Sequence, residues 1–306
     1  MSQKFKGNAA LLFTAIIWGT GFIAQKIGNE YLPPMTFNAL RQLMAALVLC
    51  PILAISLKKT GYLSKRNNTI AQLEYKRHKM IKGGLICGAF MLVGTMCQQI
   101  GLVTVSAGKS GFISAVYIVL TPLFSVVLGN KVKFKTYICI ALAMIGFAFL
   151  SLQGGLGGAT VGDWLTLLSA AGYAAQIVAI NHYVDKDNDI LISVVQMGVC
   201  GLLSLVISLF AEDTTLAAIG DAMPVLLYST FVPTAMGYTF QVIGQKYTDS
   251  TTAALLMSLE AVFAAIFGAI FLAERMAIRE LVGCAFIFVA VVIDQIDVRT
   301  IIKKKE

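Results

Sequence analysis

The sequence predicts an all-α integral membrane protein, with ten transmembrane helices arranged as two inverted five-helix repeats. Three observations predict it. Hydrophobic residues make up 58% of the 306 residues and charged residues only 13%, and the mean hydropathy is +0.79. A soluble domain averages about 45–50% apolar and about 25% charged. Apolar runs of about 20 residues, the length that crosses a bilayer, recur along the whole chain. The second set of runs repeats landmark residues of the first in order. Backbone groups in lipid must be bonded within their own segment, so each run is read as a helix.

The runs fall at 8–28, 35–57, 80–102, 106–129, 135–153, 162–182, 190–210, 220–243, 249–272 and 277–297. The first opens like a signal peptide, with Lys4 and Lys6 ahead of apolar residues. It continues past Trp18 to Ile27 without a small-residue cleavage site, so it is expected to stay as the first helix. The eighth run is interrupted by Asp221, Pro224 and Pro233. The stretch 58–79 reads as a polar, basic linker with room for a short amphipathic helix.

The net charge of +8 is distributed between runs and not over one polar surface, which argues against nucleic acid. It fits positive-inside topology instead. With the N-terminus inside, 19 of the 24 Lys and Arg residues lie on the inner side. Arg275 and Arg279 are exceptions. Both termini are therefore expected in the cytoplasm. All six cysteines (Cys50, Cys87, Cys97, Cys139, Cys200 and Cys284) lie inside apolar runs with no CxxC spacing, and read as small packing residues.

A shift of 155 places Gly7 on Gly162, Trp18 on Tyr173 and Arg41 on Gln196. From the third run onward a shift of 143 places Gly94 on Gly237, Gln98 on Gln241, Gly101 on Gly244, Tyr117 on Glu260 and Lys131 on Glu274. The difference is the longer loop between the second and third runs. Five runs per half is an odd number, so the second half must sit upside down relative to the first. Inverted repeats place a site near the midplane between the halves. The expected division is 1–153 and 159–298, followed by a basic tail at 299–306.

IIWGTGFIAQKIG, PMTFNALRQLMAAL and SAGKSGFISAVYIVLTPLF resemble the first half of EamA-type transporters, of the drug/metabolite transporter (DMT) superfamily. The segment 250–293, STTAALLMSLEAVFAAIFGAIFLAERMAIRELVGCAFIFVAVVI, resembles the second half. The resemblance implies the EamA fold and transport of a small metabolite across the plasma membrane. The chain departs from the family pattern twice. Ala261 stands where the second half usually has proline in Leu-Glu-Pro-Val, and Gly129-Asn130-Lys131 replaces the usual Leu-Gly-Glu end of the first half.

Several polar and aromatic residues are candidates for a substrate cavity. Trp18, Gly21 and Gln25 share one face of the first helix, where Trp18 is either a cavity wall or an anchor. Asn38, Arg41 and Gln42 lie close together in the second. Arg41 offers a planar fork for a carboxylate or phosphate, or serves as a structural cation. Gln98, Gln99 and Gln241 occupy matching places, either as cavity amides or as glue between helices. Tyr117, Tyr173, Gln176, Asn181 and Tyr238 complete the set. His182, next to Asp185 and Asp187 at a cytoplasmic end, reads as a solvated helix end or a proton relay, and Asp294 as a helix-end residue that snorkels. Glu260 lies mid-run, where a carboxylate costs several kcal/mol unless it is paired, protonated or faces water. It is a candidate for proton coupling or for a structural bond.

The function expected is secondary-active transport, by alternating access, of a small polar or amphipathic metabolite such as an amino acid, an amine or a nucleobase-like compound. H+ is the candidate coupling ion. The alternative is an anionic metabolite such as an organophosphate, for which Lys26, Arg41 and Lys109 are the basic candidates. A passive channel is a further alternative. An enzyme is not expected: the chain has only two histidines, no HExxH and no paired intramembrane acids. The other partners expected are a lipid bilayer and at most a second copy, as monomer or homodimer. No cofactor, metal or nucleic acid is expected.

Overall fold

The structure, a computed structural model, describes residues 3–64, 68–129, 134–151, 159–184 and 189–295. Asp185, Asp187 and the 299–306 tail, together with the side chain of Asp294, lie outside the described residues. Among those described there is no strand. Seven helices are long and apolar enough to cross a membrane. They are α1 (Gln3–Tyr31), α2 (Pro34–Thr60), α3 (Ile70–Thr104), the pair α4 (Ala107–Ser114) and α5 (Tyr117–Ser125), α7 (Val161–Tyr183), α8 (Asp189–Ala211), and the pair α12 (Ser250–Ser258) and α13 (Glu260–Phe271). The fifth and tenth runs form α6 (Phe134–Ser151) and α14 (Ile278–Gln295), each of 18 residues.

The eighth run is broken, as its prolines lead one to expect. It comprises α9 (Leu216–Asp221), α10 (Met223–Ser229), a π-helical stretch Thr230–Gly237 and α11 (Tyr238–Gln245). Pro233 lies inside the π stretch and has no N–H to offer. Helix α3 starts ten residues earlier than expected, so the helix anticipated in the 58–79 linker is continuous with the third span. A capping box of Thr69 and Gln72 sets its start. Thr160 and Asp163 do the same for α7. Gly61 closes α2 at a φ of 63°, a conformation that suits glycine.

The helix pairing has the pattern of a two-fold exchange of the halves. Helices α2 and α8 pack on each other, as do α6 and α14; each pair joins repeat mates. Helix α3 packs on α7, and the mate of that contact is the packing of α1 on the π stretch and α11. Individual glycines carry the pattern to atomic level. A Cβ on Gly94 would stand 2.7 Å from the Tyr173 ring, and one on Gly237 would stand 2.5 Å from Trp18 Nε1. A Cβ on Gly101 would meet Thr166 and one on Gly244 would meet Leu11, and Thr166 and Leu11 are also 155 apart. Small residues of the fourth and ninth spans pack on one another: Gly111 lies against Ala261 and Ala264, and Gly108 against Ala265.

The bundle is apolar outside and polar within. Leu47, Ile55, Leu85, Phe210 and Ile270 are exposed, whereas Asn38, Gln42, Gln98, Gln176 and Gln241 are buried. Five of the cysteines are buried and Cys50 faces outward. The helix ends define two faces. One, the N-terminal face, carries the connections after α2, α5, α7 and α11. The other, the far face, carries those after α1, α3, α6, α8 and α13.

Close backbone approach makes a direct prediction. A Cβ on Gly172 would stand 2.5 Å from the backbone nitrogen of Gly94, which cannot yield without moving a helix. Gly172→Ala should destabilise the protein by about 1–3 kcal/mol. Gly198, in α8, has no atom within 4 Å of such a Cβ, and Gly198→Ala should leave stability unchanged or raise it by up to about 1 kcal/mol. Thermal unfolding in detergent would measure both.

Candidate functional site

Both central crossing spans are broken at matching places. In the first half α4 gives way to α5 at Ala115–Val116, where bonds tighten to the i→i+3 type, Val116 N to Ile113 O at 3.2 Å and Ile118 N to Ala115 O at 3.1 Å. In the second half α12 gives way to α13 at Leu259, with Val262 N bonded to Leu259 O at 3.1 Å. Such tightened turns inside a helix often mark hinges. The break at Leu259 forms although Ala261 replaces the family's proline. The breaks make Tyr117 and Glu260, which are repeat mates, the first residues of α5 and α13. Glu260 thus directly follows the tightened turn at Leu259.

These two residues meet at a central cavity of about 30 Å³, room for about two water molecules. Trp18, Gln25, Gln98, Tyr117, Tyr173, Gln176, Tyr238, Gln241 and Glu260 all line it. Each was a candidate from the sequence, and both halves contribute. Trp18 packs on Tyr238, with ring centroids 4.9 Å apart, and donates Nε1 to the Pro233 carbonyl at 3.0 Å. That bond ties the first helix to the π stretch. Tyr173 donates its hydroxyl to Gln98 Oε1 at 2.9 Å, and Gln98 in turn donates to Ser114 at 3.1 Å. Gln176 and Gln241 exchange amide bonds at 3.0 and 3.3 Å, and Gln176 also donates to Gln196, the repeat mate of Arg41. The Glu260 carboxyl lies beside the buried Tyr117 hydroxyl, which makes no well-formed hydrogen bond.

Five candidates, Asn38, Arg41, Gln42, Gln99 and Asn181, lie away from the cavity. Asn38 donates to Ser204 at 2.8 Å and Thr95 at 3.1 Å, joining α2 to α8 and α3. Arg41 is buried and turned towards Asn38 Oδ1 at 2.8 Å, and it reaches the cavity only indirectly, through Gln25 Oε1 at 3.3 Å. Gln42 is buried with neither amide atom hydrogen-bonded. Gln99 bonds Asn29 and the Gln25 carbonyl, as glue between α1 and α3. Asn181 bonds the Gln245 and Thr248 carbonyls. His182 is exposed and packs edge-on against Tyr183.

The basic candidates are occupied elsewhere. Lys26 donates to the carbonyls of Leu102 at 2.8 Å and Val105 at 2.9 Å. Lys109 pairs with Asp163 at 2.7 Å. At the N-terminal face Lys246 pairs with Asp189 at 2.7 Å; burial works against its charge, but the Asp189 bond and charge prevail and hold its pKa above the ordinary lysine value. Among the described residues no Lys or Arg lines the cavity.

Sequence reasoning did not single out Phe22, Ile177 or Pro233 as lining residues. Phe22 and Ile177 look like ordinary core residues, but they are repeat mates, and that coincidence was the available signal. Pro233 was visible only as an interruption.

The EamA-like transporter family model matches residues 5–152 and again 160–293. An uncharacterized transporter of Archaeoglobus fulgidus is 30% identical over 293 residues, covering 95% of this chain and 86% of that protein. A solved crystal structure of 16% sequence identity superposes with a TM-score of 0.65 over 94% of this chain and 96% of its own, a likeness of fold. With two matches that between them take in nearly every described helix, the chain belongs to the EamA-like transporter family.

Proposed function

We propose that this transporter is a secondary-active carrier of a small polar or amphipathic metabolite, working by alternating access. The observation that carries the reading is the position of the cavity. It lies between the two halves, beside both helix breaks, and is lined by both repeats. At about 30 Å³ it is far smaller than the roughly 300–1,000 Å³ of a ligand pocket, so it must open to take a metabolite. Rocking of one half against the other is the motion that inverted repeats provide.

The lining supports a neutral or amine-bearing substrate over an anionic one. Aromatic faces and a carboxyl attract cations, amides serve neutral polar groups, Lys26 and Lys109 are engaged outside the cavity, and Arg41, turned onto Asn38, reaches it only through Gln25. Amino acids, amines and nucleobase-like compounds fit this chemistry. Glu260 is proposed as the site where H+ couples to transport, because it is the acid that opens on the cavity. The basic residues between the spans support both termini in the cytoplasm, and the family resemblance supports a plasma-membrane location.

Proteoliposomes test the reading through uptake of such metabolites with and without a pH gradient. Saturable counterflow is expected; linear, non-saturating flux would indicate a channel instead. Glu260→Gln should abolish the response to the pH gradient while unfolding as the wild type does. Gradient-driven uptake retained in that variant would remove Glu260 from the coupling role.

A second variant addresses the wall. Tyr173→Phe removes the hydroxyl bonded to Gln98 and leaves the ring on Gly94. It should cost about 1 kcal/mol of binding, read as about a fivefold rise in KM, together with about 1–3 kcal/mol of stability because Gln98 Oε1 loses its partner. An unchanged KM would argue against Tyr173 as a substrate contact.

A further inference from the structure

At the far face, the halves are joined through the first turn of α4. Both oxygens of Glu274, a second-half residue, accept from first-half backbone groups, Ala107 N at 2.7 Å and Gly108 N at 3.0 Å. The next residue, Lys109, pairs with Asp163 of the second half at 2.7 Å, and Asp163 is fully buried. Two carboxylates thus hold one helical turn, where a helix N-terminus welcomes negative charge. The packing beneath is tight. Phe22, Ile23, Leu102, Ala107 and Ala264 form one apolar cluster with Phe267 against it, and it borders the cavity through Phe22.

The repeat gives this device a counterpart at the N-terminal face, the first turn of α12, where the mates of the three lock residues have other identities. The mate of Asp163 is Asn8, that of Lys109 is Thr252, and that of Glu274 is Lys131, a cation that could not cap a helix N-terminus. Helix α12 is capped by its own Asp249, which accepts from Thr252 N at 2.9 Å. Among the described residues, a neutral bond joins the halves near this turn, Thr248 Oγ1 to Asn8 Oδ1 at 3.0 Å. A second carboxylate strengthens the contrast. Glu212 of the second half accepts from Met35 N and Thr36 N at the start of α2, and its mate is Leu57.

We propose that the first turn of α4 is a charge-locked gate, held by Glu274 and the Lys109–Asp163 pair, and that the carrier rests closed at the far face because the mate gate carries no such lock. The inference rests on the alternating-access reading. Opening at the far face must break charge-assisted bonds between the halves, whereas the bond Thr248 makes to Asn8 across the N-terminal gate is neutral.

Exchanging mates tests this. Lys109→Thr with Asp163→Asn gives the far gate the identities of its counterpart. Asn8→Asp with Thr252→Lys builds the charged pair at the other end. Hydrogen–deuterium exchange of the full chain in nanodiscs reads both faces at once. The first double variant should raise exchange over residues 263–272 by about threefold to fivefold and lower it over 245–254. The second should shift both in the same directions, because a lock at the N-terminal gate closes that face and favours opening at the far one. Unchanged exchange over 263–272 in a folded first variant would overturn the proposal. A rise there without a fall over 245–254 would uphold the lock and instead overturn reciprocal opening of the two faces. If the first variant fails to fold, the second decides: exchange that does not fall over 245–254 refutes a lock of this kind.

Discussion

Hydrocarbon offers no hydrogen-bond partner, and the arrangement of this protein follows from that constraint. The backbone satisfies it by forming helices. Side chains satisfy it by turning inward, so the buried amides, hydroxyls and acids gather along the axis of the bundle while leucines and isoleucines cover its outside. Where the backbone departs from the helix, a neighbour compensates. The Pro233 carbonyl in the π stretch receives Trp18, the carbonyls ending α3 receive Lys26, and the free N–H groups beginning α4 receive Glu274. Each of these compensations crosses between helices. The repair of one helix is therefore also a bond between two, and the irregular places are the places where the bundle is tied together.

The same logic locates the cavity. Two spans broken at their midpoints bring Tyr117 and Glu260 to the centre, and rings from α1 and α7 close over them. Trp18 and Tyr173 can stand there because glycines face them. Gly237 and Gly94 leave the hollow that each ring fills. A polar site at the midplane is thus a product of packing as much as of chemistry. Small residues set how close the helices come, and that distance decides which polar groups meet.

Much of this was legible in the sequence, and the repeat was the reason. Aligning Trp18 with Tyr173 and Gly94 with Gly237 marks four positions that meet crosswise in the structure, and most of the cavity wall follows from them. What stayed hidden was direction and partnership. Arg41 and Gln42 sit one position apart among plausible wall residues, yet the first is turned onto Asn38 and the second is buried away from the cavity. Helical spacing identifies a face; it does not say what lies opposite. The tightened turns at Ala115–Val116 and Leu259 carry no proline or glycine at the break, so no local signal announced them. Glu274 and Glu212 look like surface residues at helix ends, and only the fold reveals the helix starts they serve.

The pairing of Tyr117 with Glu260 sets an energetic ceiling. Duplication could have given the cavity two carboxyls, but among the described residues its lining holds a single acid. A carrier coupled through that group moves at most one proton per turnover. One pH unit supplies about 1.4 kcal/mol, and 100 mV supplies about 2.3 kcal/mol for each charge moved. Together they amount to an accumulation ratio of a few hundredfold for a neutral solute, in the direction opposed to the membrane's own gradient or along it. For a singly charged amine exchanged against the proton, the electrical part cancels and about tenfold per pH unit remains. The charge of the cargo, more than its size, would then determine how steep a gradient this protein can sustain.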